Sequence, residues 1–248
     1  SLFVRSKPRL SLTWQGEALF QSVQRGLDQI QQGCNAVRRQ NDQTSLRVLT
    51  SIGMAQCWLL ARLNGFYQRY PEVDLHLTTR DSTANLDILG ADITITFDDE
   101  DEKTKSASCI FYDNIIAVSS SQSMTKKRML PVSELADQHL LHYLEPMQLN
   151  DWRLLFNSVG VDPPPVERGS SFNSYAVYLQ ASLNGDGVAI GSEHLLEDYL
   201  RNGSLRRVAN LRLETRRGYF CHLTPEGRDK PAAHQFREWI CSLIQTKT

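Results

Sequence analysis

The chain has 248 residues, 41% of them hydrophobic and 22% charged, and a net charge of −1. That length exceeds one small domain, and the composition is ordinary for a globular protein, which excludes a disordered or fibrous chain. No apolar run approaches the roughly 20 residues of a membrane span, and Ser1-Leu2-Phe3-Val4-Arg5 lacks the apolar centre of a secretory signal.

The expectation is therefore a cytoplasmic chain with no membrane partner, and one that reads, without an initiating Met, as part of a longer sequence. Cys34, Cys57, Cys109, Cys221 and Cys241 are odd in number and form no CxxC pair. That argues for a reducing compartment and against a disulfide framework or a zinc site. Most are expected to be small buried apolar residues, with a redox-sensing thiol as the minor alternative. Charge is unevenly spread: residues 1–40 hold Arg5, Lys7, Arg9, Arg25, Arg38 and Arg39 against only Glu17 and Asp28. A basic end on an acidic body suits a nucleic-acid contact at that end.

Phe3 to Leu12 reads as a short basic hairpin turning at Ser6-Lys7-Pro8. Thr13 stands where a helix N-cap belongs. From Trp14 to about Asn41 no proline interrupts the chain, and Phe20, Val23, Leu27, Ile30, Cys34 and Val37 recur at alternating spacings of three and four. That is a coiled-coil seam. A helix about 40 Å long cannot bury so narrow a stripe against itself, so a partner helix is expected. Packing on its own domain is the weaker reading.

Asn41-Asp42-Gln43-Thr44 reads as a hinge. Strands are then expected at Leu46–Leu49, Val73–Leu77, Ile93–Phe97 and Ile115–Val118. The helices between them are Met54–Tyr70, with Ser51 as cap and Pro71 beyond its end, and Asn85–Leu89. This alternation predicts a mainly parallel α/β sheet. The second half repeats the theme: strands at Leu140–Tyr143, Val188–Ile190 and Gly218–Leu223, with helices starting at Val132, Asp151, Asn173 or Ser174, Leu195 and Ala232. Two similar lobes are expected, with any ligand at the carboxyl ends of strands.

Catalytic signatures are missing. There is no Gly-x-Ser-x-Gly elbow, no phosphate loop and no His-Glu-x-x-His. His139 and His142 have no evident third ligand, Gly185-Asp186-Gly187 is a turn, and Asn202-Gly203-Ser204 is a sequon a cytoplasmic chain would not use. Neither an enzyme nor a metal or cofactor site is expected.

Several pieces, in this order and spacing, resemble the LysR-type transcriptional regulators: Leu2-Phe3-Val4-Arg5 with Leu12-Thr13-Trp14-Gln15-Gly16; Trp58 to Leu63 with Phe66 and Tyr70-Pro71-Glu72-Val73; Ala91-Asp92-Ile93-Thr94-Ile95; Ala181 to Ile190; Gly203-Ser204-Leu205; and Phe236 to Ile240. Trp58, Trp152 and Trp239 resemble the subgroup of the glycine-cleavage activator and the β-lactamase regulator. The resemblance implies a remnant wing of a winged helix-turn-helix (1–13), a linker and dimerisation helix (14–43), and a two-lobed effector-binding domain like the periplasmic binding proteins (44–248). Lobe one would comprise 44–118 and 220–248, and lobe two 119–219, with crossovers near Val118-Ser119 and Tyr219. The family's recognition helix would precede Ser1. Arg5, Lys7 and Arg9 would then touch DNA backbone, and promoter DNA would be a partner of the full-length protein only.

The resemblance further implies a small-molecule effector, a metabolite, in the inter-lobe cleft, and a homodimer or homotetramer that rearranges on binding it. Small polar groups at strand ends and helix starts would hold the effector: Thr50, Ser51 and the N–H groups toward Met54; Ser82 and Thr83; Thr96 and Phe97; Phe172, Asn173 and Ser174; and Tyr219 at the return crossover. The acidic run Asp98 to Glu102 is unlike the subgroup and reads as a solvated loop, or else as a charge at the cleft mouth that disfavours anionic effectors or favours cationic ones. A two-lobed solute-binding receptor without DNA function is the alternative; the basic hairpin and heptad helix speak against it.

Overall fold

The computed structural model describes residues 1–6, 9–39, 43–81, 90–102, 104–122, 129–164 and 169–245. Strands β1 (Phe3–Ser6) and β2 (Arg9–Leu12) form an antiparallel hairpin with Phe3 opposite Leu12. Helix α1 (Trp14–Arg39) follows. Thr13 Oγ accepts the Gly16 N–H at 3.0 Å, so the cap forms where the sequence places it. Gly16 is required by packing: a Cβ there would stand 2.1 Å from the Leu2 carbonyl oxygen. The hairpin thus docks on the first turn of α1. Phe20, Val23, Leu27 and Ile30 are half or more exposed. The side chains of Arg5, Arg9, Cys34 and Val37, and Lys7 altogether, lie outside the described residues.

Next come β3 (Ser45–Ser51), a helical run of α2 (Ile52–Met54) and a wider π-turn (Ala55–Leu59), α3 (Leu63–Arg69), β4 (Asp74–Arg80) and β5 (Ile93–Asp99). The single helix expected over 54–70 is therefore broken into α2, the π-turn and α3. Asn85–Leu89 lies outside the described residues. The long strand β6 (Ser108–Ser120) leads to α4 (Val132–Ala136), β7 (Leu141–Tyr143), α5 (Asp151–Asn157), β8 (Ser170–Phe172), α6 (Tyr175–Asn184), β9 (Ala189–Ser192), α7 (Glu197–Arg201) and β10 (Leu205–Arg207). Strand β11 (Leu213–Leu223) returns, and α8 (Pro231–Gln245) ends the described chain.

The sheet corrects the expectation of a mainly parallel one. Only β3–β4 and β3–β5 are parallel in the seven-stranded sheet ordered β10-β6-β11-β5-β3-β4. Strand β11 lies antiparallel to both β5 and β6, and β6 antiparallel to β9 and β10. The cause is the pair of long strands. β6 pairs with β11 from Ser108 to Ile115, then with β9 and β10 from Ile115 to Ser120. It changes partners at Ile115. β11 returns through a bulge between Glu214 and Gly218. The parallel pair β7–β8 completes the second lobe.

Packing follows the apolar spacing. On α8, Phe236 and Ile240 are fully buried and Trp239 nearly so; Phe66 of α3 meets Phe236 and Trp239 at 5.2 and 5.1 Å between ring centres. Tyr178 on α6 donates to the Ile190 carbonyl at 2.6 Å and accepts its N–H at 2.7 Å, tying α6 to β9. Gly185 closes α6 in the left-handed conformation at φ 88°, where a side chain would be strained. Trp152, Leu155 and Phe156 of α5 pack with Ile115, Ala117 and Val188 in a core confined to the second lobe. The larger core joins Trp58, Phe66 and Ile93 of the first lobe to Tyr143, Tyr178, Ala189 and Leu205 of the second without a break. Among the described residues, no helix is long and apolar enough to cross a membrane. No His, Cys, Asp and Glu cluster suited to a metal is found there either.

Candidate effector cleft

An open cleft, with about 350 Å³ of empty space including open solvent, lies between the lobes. Ser51, Gly53, Asp81 and Phe97 wall it on one side, Tyr143, Glu145, Met147, Gln148 and Tyr175 on the other, and Tyr219 of β11 closes it. The position follows from topology. Ser51 ends β3, Asp81 follows β4 and Phe97 nears the end of β5, the three strands whose parallel pairing brings their carboxyl ends together. Tyr143 likewise ends β7, beside β8. A second hollow of about 290 Å³ continues behind Tyr143 and Tyr175 toward His142, Trp152, Tyr178 and Ile190.

The walls are aromatic and their hydroxyls stay protonated. Phe97 and Tyr219 lie 5.1 Å apart and Tyr143 and Tyr175 5.4 Å apart, ring centre to ring centre. Burial pushes the phenols of Tyr143, Tyr175 and Tyr219 well up, helped at Tyr143 by the charges of Glu145 and Asp81 and at Tyr219 by that of Asp113. Tyr143 donates to the Asp81 carbonyl at 3.0 Å, a bond from one lobe to the other. The Tyr175 hydroxyl is buried without a hydrogen-bond partner among the described residues.

Behind the wall, Arg217 of β11 holds the lobes together. Its Nη2 is 3.2 Å from Asp113 of β6, and its Nη1 is 2.8 Å from Asp151 of α5 while donating to the Met147 carbonyl. Its guanidinium lies 5.3 Å from the Phe97 ring centre. Burial outweighs Arg217 and raises both acids, Asp151 to about 7. A buried group of one cation and two carboxyls sheds its excess charge by keeping one proton.

Of the residues singled out in the sequence, Ser51, Phe97 and Tyr219 stand in the cavity wall. Ser51 also caps α2, its Oγ accepting the Met54 N–H at 3.1 Å. Thr50 is buried and spends its hydroxyl on the Ile95 carbonyl, and Met54 is core. Thr96 pairs with His222 at 3.0 Å. Phe172 packs against Tyr178, and Asn173 and Ser174 are absent from the cavity wall. Ser82 and Thr83 lie outside the described residues. Three acids of the run have local partners: Glu100 accepts from Tyr112 at 2.8 Å, Asp101 accepts the Thr104 N–H, and Glu102 pairs with Lys105. Sequence reasoning missed Asp81, Tyr143 and Tyr175. The rule of strand ends, applied to β4 and β7, points to the first two; Tyr175 gave no such signal. Cys57 and Cys109 are thiols pushed up by burial to about 12 and about 11. Both are protonated at neutral pH and poorly nucleophilic.

Two α/β lobes joined by paired crossover strands, with a cavity between them and an uninterrupted core beneath, define a two-lobed effector-binding domain. The chain belongs to the LysR family: residues 39–243 match the LysR substrate binding domain. It is 26% identical over 251 residues to the HTH-type transcriptional regulator DsdC of Escherichia coli K12, covering 99% of this chain and 80% of that protein. It is 24% identical over 241 residues to the glycine cleavage system transcriptional activator of the same organism, covering 96% and 78%. The effector domain of the transcriptional regulator AmpR of Pseudomonas aeruginosa superposes with a TM-score of 0.67 at 23% identity, covering 82% of this chain and 96% of that one. These relatives are transcription regulators rather than enzymes.

Proposed function

We propose that the chain senses a small-molecule metabolite in the inter-lobe cavity and passes its occupancy to promoter DNA through the pairing of α1 helices. The observation that carries this reading is the placement of Tyr219. It belongs to the crossover strand, lines the cavity, and sits two residues from Arg217, which holds the second lobe. A ligand that favours one setting of that strand shifts the population of lobe arrangements by its differential affinity. The exposed stripe Phe20, Val23, Leu27 and Ile30 supports pairing of α1 with a second copy, in a homodimer or a homotetramer. Arg5 and Arg9 of the basic hairpin, with Lys7 between them in sequence, would then meet DNA backbone beside the reading helix of the full-length protein.

The test is a thermal-shift screen of metabolites with Gln148→Trp as control, because Gln148 borders both hollows from a loop and a ring there plugs them. A ligand at a hundred times its Kd adds about 2.7 kcal/mol, a rise of about 5–10 °C for a chain this size. The rise is expected in the wild type and not in the plugged variant; equal rises in both would remove the cavity from the reading. Val23→Asp with Leu27→Asp should halve the mass seen by light scattering, and an unchanged mass would remove the α1 seam.

A further inference from the structure

One wall of the cleft is a loop of lobe two, residues 144–150, between β7 and α5. Glu145, Met147 and Gln148 of that loop line the cleft. Its turns are closed by its own backbone: the Gln148 N–H donates to the Glu145 carbonyl at 2.9 Å, and the Asp151 N–H to the Gln148 carbonyl at 3.0 Å. The Met147 carbonyl accepts from Arg217, and Asp151, the first residue of α5, sets its carboxyl 2.8 Å from the same guanidinium. Arg217 belongs to β11 and also meets Asp113 of β6 at 3.2 Å. One side chain thus ties the cleft wall to both long strands.

The charges at this tie do not balance when both carboxyls are ionised. Asp113, Asp151 and Arg217 are all buried, so one cation faces two anions away from water. The titratable groups that face them come from every element packed there. β6 gives Asp113, β11 gives Arg217 and Tyr219, α5 gives Asp151, α6 gives Tyr178, and the segment after β9 gives His194. The two tyrosines are held neutral by burial, and the charge of His194 bears on Asp113. A proton on Asp151 leaves one anion against one cation, and burial accordingly pushes that carboxyl up to about 7. Once the proton is lost, the second anion regains water only if the loop and the start of α5 move off Arg217.

We propose that Asp151 is a proton-operated latch on the cleft wall: protonated, it lets Arg217 hold loop 144–150 against β11, and ionised, it lets the loop and the start of α5 come away. The consequence for ligand access, which rises with pH, rests on the reading of the cleft as the effector site; the latch itself is a property of the wall.

The test is amide exchange in the whole chain from about pH 5 to about pH 9, corrected for the intrinsic rise of exchange with pH and read at the Gln148 and Asp151 N–H groups. Opening releases one proton, so protection should fall about tenfold per pH unit up to about pH 7 and level off above it. These amides should exchange faster than those of α8. Asp151→Asn keeps the shape and the balance of one anion with one cation, and should remove the dependence while keeping the amides protected. Arg217→Lys keeps the charge but loses the fork that reaches loop and strand together, and should lower protection at every pH. Protection that does not vary with pH, a dependence that survives in Asp151→Asn, or Arg217→Lys behaving as wild type would each overturn the latch. So would exchange at the free-peptide rate throughout, or at the rate of α8, which marks global unfolding. The thermal-shift screen reads ligand and not wall, so a latch found where no metabolite binds would remove the effector reading alone.

Discussion

Two arginines reach between the lobes, and their surroundings are opposite. Arg217 lies between Asp113 and Asp151 with side-chain exposures of 9%, 2% and 3%. Arg62 follows the π-turn of lobe one and reaches α7 of lobe two, 3.0 Å from Asp198 and 3.4 Å from Glu197, with 18–29% exposure throughout. It also stands 4.5 Å from the Trp58 ring centre, and its acids are shared with Arg201. Each arginine faces two carboxyls, but Arg201 balances the second charge in the Arg62 group, whereas among the ion pairs of the described residues Asp113 and Asp151 share Arg217 alone. The buried group perturbs its members strongly, because no water screens them. The half-exposed one is redundant and screened. Similar contacts on paper therefore carry different weight, and burial decides which.

The comparison breaks most sharply at Arg217→Met, which strands two buried carboxyls without a counter-charge. A loss of about 3–5 kcal/mol is expected in urea unfolding, and a loss below about 1 kcal/mol would equate the two arginines. Next comes pH. Asp151 is raised to about 7 in the fold from an ordinary value of 3.8, so the folded state holds a proton that the unfolded state has released. Its contribution is present in full at acid pH and is lost as pH rises through about 7. Between about pH 5 and about pH 8 that amounts to roughly 3 kcal/mol. The melting temperature should show this falling component in the wild type and lose it in Asp151→Asn; His194, whose charge bears on Asp113, is the other titrating neighbour. An identical pH slope in the variant would place the proton elsewhere. Smallest is Arg62→Ala, expected to cost no more than about 1 kcal/mol with no change in pH slope. A larger cost would show that the Trp58 stack, and not the ion pairs, holds the lobes on that side.

The legible and illegible parts of the fold divide on similar lines. α8 was readable because Phe236, Trp239 and Ile240 fall on one helical face, and β3 and β5 because their apolar residues are bounded by turn signals. The sequence pattern marks only Ile115–Val118 of β6 and Gly218–Leu223 of β11, shorter than the strands formed. Each carries charged residues inside the strand, Asp113 in one and Arg217 in the other, which look like strand breaks until they are seen to neutralise one another. With those lengths unread, the antiparallel crossovers and the mixed sheet were unreadable too. The cavity shows the same limit. Strand ends located Ser51 and Phe97, and the same rule extends to Tyr143 at the end of β7, whereas Tyr175 carries no such signal; both tyrosines are buried and border a hollow that only the meeting of two lobes creates.

The larger core, which runs from Trp58 and Phe66 through to Tyr178 and Leu205, has a consequence for anyone recombining such regulators. The second lobe keeps a core of its own, but the larger core is shared, so exchanging one lobe for that of a relative would set two halves of different jigsaws against each other in that shared interior. Chimeras cut at the crossovers should fail to fold before they fail to respond. A new ligand preference is better introduced at Asp81, Glu145 and Gln148, which border the cavity but belong to no shared interior, leaving the seam between the lobes untouched.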